Sequence, residues 1–381
     1  GILAEYLTQN KENTVHIFTN SFDHYTKQEL TSKDETIKIK DNYFIHVYYA
    51  KGYKKNVSLA RILHHKRVTK KIKKGFKDYD APDVILVCNN PLEPVKVTCD
   101  YGVKHKVPVI VDIRDLWPEI FVEAVSPKLK LAILPYKKIC EVQTSRSLKK
   151  AYSLIGLSDA FLDYGLKLAN RKKSNLDKVI PIGYPNFTYN RDREAFNKLW
   201  GKFNLKPDDF IIAFTGNFGR QFAFKEIIAA ANNLKAYNKI KFVLCGTGEN
   251  LDAVKLLSPD NIIFPGWIDK KLIVSLLSFS SLGIAPYINS INYRSNTKLE
   301  KLSKLTASLP ILVSVKGTME SLLLKYECGS SYVDSKSLTD VILSYFENED
   351  LISKQKVNAR KLYESTFNDE LVNSRLYDTL N

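Results

Sequence analysis

Short apolar runs of strand length recur along the chain, and longer amphipathic stretches fill the intervals between them. In the first half the runs are Val15–Thr19, Phe44–Tyr48, Val84–Cys88, Val107–Val111, Ser153–Leu157 and Val179–Ile182. In the second half they are Phe210–Thr215, Lys241–Cys245, Ile262–Phe264, Leu282–Ala285 and Ile311–Val315. Stretches such as Lys225–Ala236 and Lys270–Ser278 carry the helical period. A strand followed by a helix returns parallel to itself, so this alternation specifies parallel sheets with helices on both faces. The fold class is therefore α/β, with two Rossmann-like parallel-sheet domains. The polar segment 186–209, carrying Pro207-Asp208-Asp209 before a strand, separates the two series. The expected hinge lies near Tyr184–Asn190, with domains at 1–185 and 186–364.

The chain has 381 residues, too many for one ordinary core. Its five cysteines, Cys88, Cys99, Cys140, Cys245 and Cys328, are far apart and show no metal-ligand spacing. They read as reduced, mostly buried thiols, and no metal site is expected. No apolar run approaches the ~18–20 residues that span a bilayer, and no secretory signal is read at the start. The opening Gly1–Leu7 reads as the middle of a helix, so an upstream strand and loop are expected beyond it.

The formal net charge is +16, which favours acidic partners. The excess is concentrated in Lys51–Lys77, which contains no Asp or Glu. Leu59, Ile62, Leu63, Val68 and Ile72 within it allow an amphipathic basic helix. Such a helix is either a solvated face or one that lies on anionic lipid headgroups. Nucleic acid is disfavoured as the partner, because aromatic residues do not interleave with the basic run as stacking platforms.

In parallel α/β sheets ligands sit at the carboxyl ends of strands, so the loops just after strands carry the chemistry. Gly216-Asn217-Phe218-Gly219-Arg220 follows one strand and is followed by Lys225. Glycines let the backbone approach a phosphate, and the helix start beyond favours an anion. Arg220 and Lys225 add a cationic clamp for a diphosphate leaving group. The alternative is a plain βα turn with two surface cations. Gly246-Thr247-Gly248-Glu249 and Pro265-Gly266-Trp267-Ile268 also stand at strand ends. Pro286-Tyr287 leads to Ser295-Asn296-Thr297-Lys298-Leu299-Glu300, where Thr297 and Glu300 fit a capping box and predict a helix start.

From about Phe210 to Asn381 the chain resembles the nucleotide-binding lobe of the family 4 glycosyltransferases, the glycosyl transferases group 1. The ordered series carries the resemblance: G-N-x-G-R with a later Lys, G-x-G-E, P-G-W-I, Ala285-Pro286-Tyr287, Leu309-Pro310-Ile311-Leu312 and Gly317 to Tyr332. The tail Ala359–Phe367 is similar to the family's closing helices, which implies that helix 365–381 completes the first domain. Val111-Asp112-Ile113-Arg114-Asp115-Leu116-Trp117-Pro118-Glu119 resembles a stretch of members that build surface polysaccharides, as do His16–Thr19 and Ser21-Phe22-Asp23-His24. The pattern departs at two places. Counting seven residues back from Pro310 gives Ser303 where a ribose-binding Glu is usual, and the usual glycine is Ser308.

The resemblance implies the GT-B architecture, two such domains facing across a cleft. It implies a retaining transferase, a UDP-sugar donor and a lipid-linked saccharide acceptor in lipopolysaccharide O-antigen or capsule synthesis. The enzyme would work in the cytoplasm, peripheral at the inner membrane face, without a cofactor or metal. Donor contacts fall on Gly216, Asn217, Gly219, Gly246, Gly248, Gly266, Trp267, Ser295, Asn296, Thr297, Glu300 and Ser303. Acceptor contacts fall on His24, Arg114 and Trp117. Asp115, after a first-domain strand, is placed to orient or deprotonate an acceptor hydroxyl; it is catalytic in this reading, with Arg220 and Lys225. A sugar-nucleotide epimerase of the same fold is the rival enzyme, followed by a basic nucleic-acid-binding protein and an inactive pair of lobes.

Overall fold

The computed structural model describes residues 1–24, 26–55, 58–123, 125, 130–295 and 299–380. They form two compact units, Gly1–Ile180 with Asn373–Asn381, and Pro181–Val372.

The first unit contains β1 (Val15–Asn20), β2 (Phe22–Asp23), β3 (Gln28–Glu29), β4 (Glu35–Lys40), β5 (Tyr43–Tyr48), β6 (Ile85–Cys88), β7 (Val109–Ile113), β8 (Ser153–Gly156) and β9 (Lys178–Val179). One sheet has the order β1-β5-β4, with β1 parallel and β4 antiparallel to β5. A second, β6-β7-β8-β9, is parallel throughout, and β2 with β3 makes a small hairpin. Strand β7 is buried along its whole length, as a central parallel strand must be.

The second unit contains β10 (Phe210–Thr215), β11 (Ile240–Cys245), β12 (Ile262–Gly266), β13 (Leu282–Ala285), β14 (Ile311–Val313) and β15 (Gly329–Ser331). All six are parallel, in the order β12-β11-β10-β13-β14-β15. Chain order reverses between β10 and β13, which makes that gap the switch point of a doubly wound sheet. The strand period of two splits the core into layers. Ile212, Phe214, Phe242 and Leu244 enter one cluster, while Ile211, Ala213, Val243 and Cys245 enter another. Helix Phe224–Asn233 covers the first with Phe224, Ile227, Ala230 and Ala231. Helix Lys270–Phe279, capped by Asp269, adds Leu276, Leu277 and Phe279 to the second.

Helix Leu59–Gly75 corrects one expectation. Val68 and Ile72 were read as part of an amphipathic stripe facing either solvent or lipid headgroups, but they are buried with Ala50 against Phe18, Tyr48 and Phe76. The apolar face of this helix is core. Of its large apolar residues, Leu59 and Leu63 are exposed, beside Lys66, Arg67, Lys70, Lys73 and Lys74. Cys99, Cys140, Cys245 and Cys328 are buried free thiols, and Cys88 is exposed. No helix among the described residues is long and apolar enough to cross a membrane.

Candidate active site

Four loops of the second unit meet at the carboxyl edge of its sheet, around the switch point. After β10, Gly216 N–H donates to the Cys245 carbonyl (3.1 Å) and Phe218 N–H to that of Thr247 (2.8 Å). Asn250 N–H returns a bond to Phe218 (3.0 Å), and Gly246 N–H reaches the Gly266 carbonyl (2.7 Å). On the other side, Ala223 N–H donates to Pro286 (2.7 Å) and Ile288 N–H to Gln221 (2.9 Å). Main chain thus ties the loops after β10, β11, β12 and β13 into one rim.

Glycine is required in that rim. Gly246 has φ 140°, and a β-carbon there would meet the Gly216 carbonyl oxygen at 1.7 Å. Gly248 has φ 154°, and its β-carbon would meet the Phe218 backbone at 2.6 Å. Phe218 itself is fully buried and anchors the loop, stacking on Phe224 with centroids 4.7 Å apart.

The other donor-side candidates are spread along this rim. Asn217 accepts from the Gln221 amide. Arg220 pairs with Glu249 at 3.2 Å, both side chains largely in solvent (86% and 53% exposed). Lys225, in the first turn of helix Phe224–Asn233, lines a groove with Ile228, Asn232 and Leu257. Gly266, at φ 81°, precedes Trp267, which is 73% exposed. Ser295 closes helix Ile291–Ser295, and its carbonyl accepts from Thr318. Asn296 and Thr297 lie outside the described residues, as does the Glu300 side chain. A helix does occupy Leu299–Thr306, where the capping box predicts one.

Ser303 is buried, and its side chain hydrogen-bonds with Tyr184. Its carbonyl accepts from Tyr189 (3.3 Å) and Thr306 (2.7 Å). The neighbouring Lys304 runs the other way, fully buried, and donates to Thr215 Oγ1 at the end of β10 (3.3 Å). Sequence reasoning missed Lys304, because nothing in its local pattern separates a buried lysine from a solvated one. Ser308 adopts φ 59°, the left-handed conformation that a glycine would supply there.

In the first unit, Arg114 and Asp115 follow the end of β7. Asn89 clamps this loop: its side-chain oxygen accepts from Arg114 N–H (2.9 Å) and its amide donates to the Asp115 carbonyl (2.6 Å). Asn90 donates to Asp115 Oδ2 at 3.5 Å. Arg114 turns back to Asp112 Oδ2 (2.6 Å), whose carboxyl burial pushes up against the pull of the guanidinium. The Trp117 carbonyl accepts from Tyr164 (2.7 Å), and its ring lies under Arg61 at 5.4 Å.

A cavity of about 190 Å³ opens beside these residues, lined by Asn20, His24, Tyr53, Arg61, His65 and Asn90 among others. His24 and, through Arg61 and Asn90, Trp117 and Asp115 are therefore associated with one site, whereas Arg114 is committed to Asp112. Burial, then Arg61, His64 and His24, push His65 down to about 3, so its imidazole is neutral near pH 7. Arg61, His65, Asn89 and Asn90 were not anticipated. The available signal was the polar Asn89-Asn90 pair directly after an apolar run.

Residues 196–362 match the family model described as glycosyl transferases group 1. That stretch is a glycosyl transferases group 1 domain. The chain is a glycosyltransferase by virtue of it. A search of curated protein sequences finds no match.

Among solved structures, the chain is similar to the sucrose-phosphate synthase of Thermosynechococcus elongatus. The TM-score is 0.72 at 16% identity, over 99% of this chain and 91% of that one. It is also similar to WaaG, a glycosyltransferase involved in lipopolysaccharide biosynthesis, at TM-score 0.68 and 15% identity over 100% and 94% of the two chains. Anabaena HepE in complex with UDP-glucose gives 0.61 at 16% identity over 88% and 85%. At these identities the likeness establishes the α/β fold of GT-B glycosyltransferases. The group 1 domain supplies the hydrogen-bonded glycine rim described above.

Proposed function

We propose that the chain is a retaining glycosyltransferase moving a sugar from a UDP-sugar to a lipid-linked saccharide, in lipopolysaccharide O-antigen or capsule synthesis. The observation that carries the donor half is the rim at the switch point, where Gly246 and Gly248 hold main chain in conformations open only to glycine. The start of helix Phe224–Asn233, which follows this rim, favours an anion there. Gly216, Asn217, Gly219, Gly266 and Trp267 belong to the same rim, and Arg220 and Lys225 supply charge for the leaving diphosphate without calling on a metal ion. HepE, of similar fold, was solved with UDP-glucose, and WaaG is a lipopolysaccharide enzyme. Both support the reading.

On the acceptor side, Asp115 orients or deprotonates the attacking hydroxyl, with His24 and Trp117 beside the first-unit cavity. The acceptor's lipid places the enzyme at the cytoplasmic membrane face. Support comes from the exposed lysines and arginine of helix Leu59–Gly75. It comes also from Leu131, Leu134, Ile139 and Val142, apolar residues exposed along helix Lys130–Leu148.

The test is calorimetric titration with UDP-, GDP- and dTDP-sugars, followed by product analysis with and without a saccharide acceptor. A transferase makes product only with acceptor, and NMR of the new linkage reads retention of configuration. Conversion of the donor sugar without acceptor would identify an epimerase instead.

A further inference from the structure

The cavity of the first unit stands where two strands of different sheets end. Asn20 is the last residue of β1, and Asn90 follows β6 by two residues. Phe22, Tyr53, Val68, Pro91 and Pro94 make its apolar walls. The Phe22 ring packs against Gly52, where a β-carbon would meet it at 2.1 Å. At about 190 Å³ the space is smaller than the ~300–1,000 Å³ that holds a whole drug-sized ligand. It suits one compact group.

Two cations, Arg61 and Lys27, share its Tyr53 wall. The Arg61 guanidinium sits between two rings, 5.8 Å from Tyr53 and 5.4 Å from Trp117. Cation–π contacts of this kind restrain the guanidinium fork, whose N–H groups match phosphate oxygens two at a time. The Lys27 ammonium lies over the same Tyr53 ring at 4.9 Å and donates to the His24 carbonyl. Burial and then Arg61 lower the Lys27 pKa, against an upward pull from Asp23. His64 is pinned through Nδ1 at the carbonyls of Ala50 (3.1 Å) and Lys51 (3.2 Å). Two acids face the cluster: Asp23, and Glu93, which stands 3.7 Å from His65 Nδ1 and whose own carboxyl burial pushes up. Two cations sharing one ring repel each other, and an anion between them turns that repulsion into binding.

We propose that this cavity is a subsite for a phosphate or diphosphate group, with Arg61 as its principal ligand. The proposed transferase reading enters only in saying which molecule brings the group, namely the phosphate end of the lipid-linked acceptor. The cavity is lined by first-unit residues alone.

The experiment titrates the full chain, saturated with UDP, with inorganic pyrophosphate, a short prenyl diphosphate and the matching uncharged prenol. Pyrophosphate and the prenyl diphosphate should bind, and the prenol should not. Arg61→Gln should weaken both anions at least tenfold and leave UDP affinity within twofold. Arg61→Lys, which keeps the charge and loses the fork, should fall between. Thermal melts of each variant establish that it is folded. Tighter binding of the prenyl diphosphate than of pyrophosphate would assign the site to a lipid phosphate; equal binding would assign it to free phosphates. Undiminished anion binding by Arg61→Gln, or binding of the prenol as tightly as its diphosphate, overturns the proposal. Failure of UDP to bind counts against the transferase reading instead, and the anion titrations then stand without it.

Discussion

The stem of Lys304 lies across Gly283: a β-carbon built on Gly283 comes within 2.4 Å of Lys304 Cδ. Strand β13 carries no side chain at this point because a fully buried lysine crosses it to reach Thr215. Gly283→Ala should therefore overpack the second unit and cost about 1–3 kcal/mol. Lys304→Ala in the same chain opens the space again. The two changes should couple by about 1 kcal/mol or more in a thermal or urea double-mutant cycle. Strict additivity would show that the lysine stem can move aside freely.

Gly246→Ala strikes the rim twice. Its φ of 140° is strained for any side chain, at about 1–3 kcal/mol. The new methyl would also collide with the Gly216 carbonyl oxygen, which is backbone. The expected result is a lower melting temperature together with weakened UDP binding. Gly201→Ala, where a β-carbon meets nothing within 4 Å, is the control and should change neither.

Arg220→Ala and Asp115→Asn should separate donor from acceptor. The Arg220–Glu249 pair is solvent-exposed and contributes little to stability, so removing it should leave the melt unchanged. Its loss from a diphosphate clamp should lower transfer by roughly 2–4 kcal/mol of transition-state stabilisation. Lys225→Ala should act in the same direction. Asp115→Asn keeps the loop, because Asn89 holds it by main-chain groups. Transfer should fall roughly 10²–10⁴-fold with donor affinity nearly constant. A large loss of donor affinity in a folded Asp115→Asn protein contradicts this division.

His65 gives the fold a pH dependence. Its folded pKa of about 3 lies below the ordinary 6.5, so the unfolded chain takes up the proton first as pH falls. The stabilisation is complete above about pH 6.5 and is lost as pH falls toward 3. His65→Gln removes the titrating group. Between pH 8 and pH 5, wild type should therefore lose more melting temperature than the variant. Equal losses would place the titration elsewhere.

The parallel sheets were legible because their strands are continuous apolar runs: β10 and β13 begin and end where the sequence places them. Strand β4 was missed. Its Ile37 and Ile39 are 41% and 48% exposed among lysines, so no buried face marks it. The glycine rim was readable because each loop is local in sequence. The first-unit cavity was not, since Asn20, Arg61 and Asn90 come from separate segments. Helix Leu59–Gly75 shows a different limit. Its pattern reveals that one side is apolar, but Val68 and Ile72 alone do not say whether protein or lipid covers them.

Helix Asp369–Leu380 begins in the second unit and ends in the first, where Tyr377 meets Tyr6 with ring centroids 6.5 Å apart. The first unit is thus not contiguous along the polypeptide. During translation, at about 5–20 residues per second, its bulk emerges roughly ten to forty seconds before the helix that completes it. The second unit's core is itself completed by Ala359, Leu362, Tyr363 and Phe367, just before that helix. The half made first is the half that finishes last, and chaperone engagement in a translating cell should concentrate on it.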